Sequence, residues 1–263
     1  MIVKDITDIL EEFAPLSIQE KWDNSGLMIG SPSQEVHGIL IGFDCTPELV
    51  DEAIQVGADM IITHHPLIFS GLKKISPDNP VGLTVVKAIR AGIAVYAAHT
   101  TADKVIAGVS GAMAARLGLV NVNVLEPEDG GVGLGLGLGA VGDLPKPMSA
   151  SDAVEYVKKC FSLKAARCSK FPDIQISRIA MCGGSGSSLI SAAEESGAQM
   201  YISGDISYHH FFTGNNFLIM DIGHFESEVD IVPILFSVIT KKFPNFAVRI
   251  SGGLLESNPV HYC

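Results

Sequence analysis

The sequence predicts an α/β fold: two related α/β lobes with mixed, largely parallel sheets and a site in the cleft between them. Three observations predict it. Short apolar runs alternate with amphipathic segments in the order strand, helix, strand, helix, strand, the pattern of a parallel sheet covered by helices. The pattern restarts after a glycine-rich tract at residues 130–139. One segment of the first half also recurs in the second.

The elements follow in order. Ile6, Ile9, Leu10 and Phe13 share one face of an opening helix that Pro15 ends. EKWDNSGLMIG then carries a turn and a short apolar run, and HGILIGF (37–43) reads as a buried strand. Thr46-Pro47-Glu48 is a helix start, with a Thr cap, Pro in the first turn and an acid beside it; Gly57 stops that helix. A strand at 60–63 leads into His64-His65-Pro66, a helix at 80–91 starts from Asn79-Pro80, and a strand at 93–98 leads into His99. A further helix covers about 107–117.

In GGVGLGLGLG (130–139) glycine takes alternate positions, so a strand here has one face without side chains and admits close approach of another backbone. The tract marks the border between lobes, placed at 1–125 plus 229–263 and at 126–228. Beyond it SDAVEYVKKCF reads as a helix capped by Ser151, ISRIAMCGG as a strand, SSLISAAEESG as a helix, and MYIS and FLIMDIG as strands. HFESEVDIVPILFSVITKKF reads as one long helix.

The repeat carries chemistry. LVDEAIQVGADMIITHH (49–65) matches LISAAEESGAQMYISGD (189–205), so that Met60 falls on Met200 and His65 on Asp205. Each half then reaches a strand followed by His-x-x-x-acid: His99 to Asp103, and His224 to Glu228. Equivalent strand ends that converge on one cleft bring His64, His65, Asp103, His224 and Glu228 together. Imidazoles with carboxylates suit Zn, Mn or Fe rather than Ca or Mg. Adjacent strand residues point to opposite faces, and five ligands exceed the usual three of an open zinc site, so two divalent ions are expected. His99 is expected behind the ligands. His37, His209, His210 and His261 read first as ordinary surface or core histidines, and GGSGSS (183–188) as an anion-holding turn or a simple helix cap.

Composition excludes other classes. Eighteen Lys and Arg against 29 Asp and Glu give a net charge of −11, the wrong sign for a phosphate-backbone binder, so no nucleic-acid partner is expected. No apolar run reaches membrane-spanning length, and the acidic opening segment is not a signal peptide. Five cysteines without a C-x-x-C pair fit a reducing cytoplasm. Hydrophobic residues at 47% with only 18% charged imply extra surface covered by subunit contacts.

WDNSGL (22–27), ITHHPLIF (62–69), HTTAD (99–103), CGGSGSSLI (182–190), ISGDISYHH (202–210) and DIGHFESE (221–228) together resemble the NIF-three-like family, the GTP cyclohydrolase I type 2 homologues. The resemblance covers nearly the whole chain. It implies a dinuclear metal centre on the same five ligands, a toroidal homohexamer, and a hydrolase acting on a small molecule such as a nucleotide or phosphoester. A GTP-type ring opening attacks the purine C8, with His99 or His210 as the catalytic proton shuttle. The non-enzymatic alternative is a metal-delivery or regulatory hexamer. HTTAD stands where the family often has His-Thr-Asn-Leu-Asp, and Ala140 where it often has Arg; both changes spare the ligands and touch residues a substrate would meet.

Overall fold

The computed structural model describes residues 1–128 and 135–262, so the first part of the glycine tract lies outside the described residues. In chain order the first elements are α1 (Val3–Phe13), β1 (Gly26–Ile29), β2 (Gly38–Ile41), α2 (Pro47–Val56), β3 (Met60–Thr63), α3 (Pro80–Ala91), β4 (Ala94–Ala97) and α4 (Thr100–Asp103). Then come α5 (Val109–Arg116), β5 (Val120–Pro127), β6 (Gly137–Ser149), α6 (Ala150–Phe161), β7 (Arg167–Cys168), β8 (Gln175–Ser185) and α7 (Ile190–Glu195). The last are β9 (Met200–Gly204), β10 (Leu218–Asp221), α8 (His224–Glu228), α9 (Ile231–Lys242) and β11 (Ala247–Ile250).

The chain divides into two compact units: Met1–Ala102 with Ile231–Pro259, and Asp103–Asp230 with Val260–Cys263. The first holds a five-stranded sheet, β1-β4-β3-β2-β11, parallel throughout except for the β1–β4 pair. Its inner strands β2, β3 and β4 are apolar on both faces because both are covered. Leu40, Ile61 and Val95 pack with Leu49, Val50, Ala53, Val85 and Ala88 of α2 and α3. The alternate residues Ile39, Ile41, Ile62 and Tyr96 are buried as well. The expected caps hold: Thr46 accepts from the Leu49 amide, Asn79 accepts from the Gly82 amide, and Gly57 ends α2 in the left-handed region.

The second unit holds a six-stranded mixed sheet, β5-β6-β8-β9-β10-β7, whose central pairs β8–β9 and β9–β10 are parallel. Met113, Leu117, Val154, Val157 and Phe161 cover one face against Ile179, Met181, Met200 and Ile202. Leu189 and Ala193 cover the other against Ala180 and Tyr201. The repeat extends to strand register. Ile39 pairs with Met60 as Ile179 pairs with Met200, and Ile41 with Ile62 as Met181 pairs with Ile202, each at the offset of 140 read from the sequence.

Three sequence expectations are corrected. The cap of α6 is Ser149, which accepts from the Asp152 amide, and not Ser151, which lies inside the helix. The long helix from His224 is two, α8 and α9. Pro233 has no N–H, and its ring crowds the carbonyl four residues back at Val229; both are harmless only if a new helix starts just before it. The described end of the glycine tract is no border: Gly137 and Gly139 lie in β6, inside the second unit. Their lack of side chains serves close backbone approach, since a Cβ on Gly139 would lie 2.9 Å from the Met181 carbonyl oxygen.

Candidate metal centre

In the first unit the cluster grows from the ends of β3 and β4. β3 stops at Thr63, and the amides of His64 and His65 both donate to the Phe43 carbonyl, at 3.1 and 3.3 Å. That shared acceptor breaks the strand's alternation. Two neighbouring imidazoles, which a regular strand would point apart, therefore sit 4.9 Å apart between ring centroids. His99, just past β4, has its ring 5.4 Å from each of them. One ligand atom from each of His64, His65 and His99 lies within 4.8 Å of the others. The structure thus sets His99 beside His64 and His65.

Each ring is held by its Nδ1. That of His64 donates to the Ala98 carbonyl at 2.8 Å, that of His65 to Asp44 at 2.8 Å, and that of His99 to Asp23 at 2.7 Å. A carbonyl or an ionised carboxylate can only accept, so Nδ1 carries the proton and the neutral ring's lone pair lies on Nε2. Metal-binding histidines are oriented in this way. Asp23 is the most elaborate of these holders. Its side chain is fully buried and also accepts from Ser25 Oγ, Thr100 Oγ1 and the amides of Asn24 and Thr100. Burial pushes its carboxyl up, but the hydrogen bonds from His99, Thr100 and Ser25 outweigh it and hold the group well below the usual carboxylate range.

In the second unit the donors are Asp103, the last residue of α4, and His224 and Glu228 of α8. His224 and Glu228 are one turn apart on α8, and Glu228 Oε2 lies 3.0 Å from His224 Nε2. Ligands at about 2.1 Å from one ion are separated by roughly 3.0–3.4 Å in octahedral or tetrahedral geometry, so the pair is spaced as two ligands of one ion. Asp103, closing α4, brings a carboxylate oxygen within 4.8 Å of that of Glu228. His224 Nδ1 donates to Asp205 at 2.7 Å, the fourth imidazole of the candidate ligand and shuttle set with Nδ1 on an oxygen acceptor. Asp205, in the left-handed region at φ 51°, also accepts from Ser185 Oγ. Burial raises its pKa, while the His224 and Ser185 hydrogen bonds prevail and lower it.

The glycines of CGGS make room for this set. Gly184 has φ +59°, and a Cβ there would collide with Glu228 Oε1 and lie 3.2 Å from His224 Cε1. Two of its amides are committed within the protein: Gly184 N–H to Ser227 Oγ, and Gly186 N–H to Ser203 Oγ. The turn makes room for Glu228. His210 sits exposed on the short turn Tyr208–Phe211, and the structure brings it into no side-chain hydrogen bond among the described residues.

Sequence reasoning missed Asp23, Asp44 and Asp205, the carboxylates that orient the rings. Two had signals: Asp23 lies inside the WDNSGL motif, and Asp205 is the repeat partner of His65. Asp44 had only its place after a strand end.

Three imidazoles in one unit, and an imidazole with two carboxylates in the other, are donor sets that fit Zn, Fe or Mn. Among the described residues no helix is long and apolar enough to cross a membrane. The family model Duf34/NIF3 (NGG1p interacting factor 3) matches residues 1–259. The GTP cyclohydrolase 1 type 2 homolog of Clostridium acetobutylicum is 36% identical over 228 residues, 86% of this chain and 85% of that protein. The NIF3-like protein 1 of Drosophila melanogaster is 33% identical over 226 residues, 83% of this chain and 75% of that protein. The crystal structure of a Bacillus cereus protein related to NIF3 matches with a TM-score of 0.90 at 25% identity, covering 100% of this chain and 99% of that one.

Proposed function

The chain belongs to the Duf34/NIF3 family, and on that premise we propose that it is a metal-dependent hydrolase of a nucleotide or phosphoester with a dinuclear centre. The observation that carries the reading is the shared orientation of four imidazoles, each with Nδ1 on an oxygen acceptor, as metal-binding histidines are held. In this reading His64, His65, Asp103, His224 and Glu228 would hold two divalent ions of Zn, Fe or Mn. When bound, such a pair would lower the pKa of water toward about 7 and polarise the atom under attack.

The protein's own groups then orient the substrate and handle protons. His99, fixed through Nδ1 by Asp23, takes or returns a proton at Nε2 as general acid–base. His210, exposed on its turn, is the second shuttle in the proposal. The relatives' name, GTP cyclohydrolase 1 type 2 homolog, supports a purine nucleotide as the substrate to try first. The apolar composition supports the homohexamer, and the thiols Cys45, Cys160, Cys168 and Cys182, none of them in a disulfide, support the cytoplasm.

The test is elemental analysis of purified protein beside a His64→Ala/His65→Ala double variant, followed by turnover on GTP and a phosphoester panel. Two metal equivalents per chain, lost in the variant, with turnover in the parent, are the expected results. A variant that keeps its full metal refutes the ligand assignment. A metal-loaded parent without turnover favours the non-enzymatic hexamer.

A further inference from the structure

We propose that Trp22 and Phe69 form a stacking ledge for a planar heteroaromatic ring of the substrate, beside the histidine cluster of the first unit. The inference rests on the metal-hydrolase reading and narrows its substrate to a molecule carrying such a ring.

Both side chains are unusually open for large aromatics: Trp22 is 58% exposed and Phe69 52%. Exposed large apolar groups placed together are informative where a scattered one is not. These two are together, with centroids 5.8 Å apart and planes tilted by 41°. Each also meets the ring of His99 edge to face, Trp22 at 6.0 Å and Phe69 at 6.2 Å. His99 is in turn 5.4 Å from His64 and from His65, so the ledge is one ring away from the metal-type histidines.

The ledge is built on fixed backbone. Asn24 Nδ2 donates to the Ile68 carbonyl at 2.5 Å, which ties the loop of Trp22 to the loop of Phe69. The residue after Trp22 is Asp23, buried and holding His99. The two motifs WDNSGL and ITHHPLIF thus supply both a metal-type cluster and an aromatic surface, and the metal reading uses only the cluster.

Geometry sets how a ring is held. Stacked faces meet at about 3.5 Å, so a ring between two walls needs roughly 7 Å. At 5.8 Å the two side chains leave no such slot. The occupant lies across their open faces, with Trp22 the larger surface. The chain stretches next to the ledge also carry Lys21, Lys73 and Lys74, exposed cations in a chain of net charge −11. A base on the aromatics with phosphates toward these lysines describes a nucleotide.

Trp22 is the chain's single tryptophan, so its fluorescence reports on the ledge alone. The metal-loaded protein is titrated with guanosine, GTP and ribose 5-phosphate, exciting at the red edge where the purine does not absorb. Saturable quenching by guanosine and GTP, with none by ribose 5-phosphate, is the expected result. Phe69→Ala should weaken the guanosine response roughly 5- to 140-fold, from a stacking contact of about 1–3 kcal/mol at 1.4 kcal/mol per decade. Metal content is measured on the same samples. Full metal with no saturable quenching overturns the ledge and leaves the metal centre standing. Quenching by guanosine in a protein that takes up no metal upholds the ledge and removes the metal reading. Emission that shifts on dilution yet ignores guanosine overturns the inference by giving the aromatics to a second copy of the chain.

Discussion

Asp23→Asn isolates the support beneath His99. The parent carboxylate accepts five hydrogen bonds in full burial: His99 Nδ1 and Asn24 N–H on Oδ1, and Ser25 Oγ, Thr100 Oγ1 and Thr100 N–H on Oδ2. Asparagine keeps the shape but replaces one oxygen by an N–H2 donor. If the amide nitrogen takes the Oδ2 side, the hydroxyls can turn to accept, but the Thr100 N–H then faces another donor. If it takes the Oδ1 side, the Asn24 N–H does. Either way one fixed amide loses its acceptor, at about 1–3 kcal/mol, and the remaining bonds lose their charge assistance. The expected loss is about 2–4 kcal/mol, or a fall in Tm of roughly 5–15 °C. Chemical denaturation of metal-free protein at pH 7 measures it without involving ligation. The sign of the pH dependence is fixed too. The native pKa lies below the unfolded value near 3.9, so the stabilisation is full above that value and fades as pH falls through the native one. Parent and variant should converge only in strong acid. A variant as stable as the parent at pH 7 would refute the reasoning.

Gly184→Ala puts a Cβ against Glu228 at a left-handed position, so it should cost about 1–2 kcal/mol in backbone strain and sharply lower metal content, read by denaturation and elemental analysis. Asp205→Ala removes the acceptor of His224 Nδ1 and should weaken metal affinity roughly 10- to 100-fold in a competition titration with a chromogenic chelator. Burial raises the pKa of Asp59, but hydrogen bonds from the His37 ring and from the His37 and Gly38 amides win and lower it. Asp59→Asn should therefore lower stability at neutral pH and flatten the loss seen in the parent below about pH 4. Ser149→Ala should cost about 1 kcal/mol and Ser151→Ala within about 0.5 kcal/mol, since only the former caps α6.

The parts of the fold that were legible are those with local causes. Thr46-Pro47 and Asn79-Pro80 start helices by their own chemistry, and β2, β3 and β4 are apolar on both faces because both are covered. β5 and β11 were harder to see. Each borders only one strand, and both alternate with many exposed residues, so they lack that continuous apolar signal. The break before α9 turns on one proline four residues beyond Val229, inside a segment whose apolar periodicity runs on. The candidate ligands were visible because their residue types sit at strand ends, twice over. Their tethers were not, since Asp23 and His99 are 76 residues apart and only the folded sheet joins them. Nor could strand periodicity show that His64 and His65 share one face. That depends on two amides meeting the single carbonyl of Phe43.

The most direct measurement is anomalous diffraction from crystals of the protein reconstituted with zinc or manganese. Two peaks about 3.5–4 Å apart, touching Nε2 of His64, His65 and His224 and the carboxylates of Asp103 and Glu228, are the predicted result. Crystals grown with excess metal that show no peak at those atoms would contradict it.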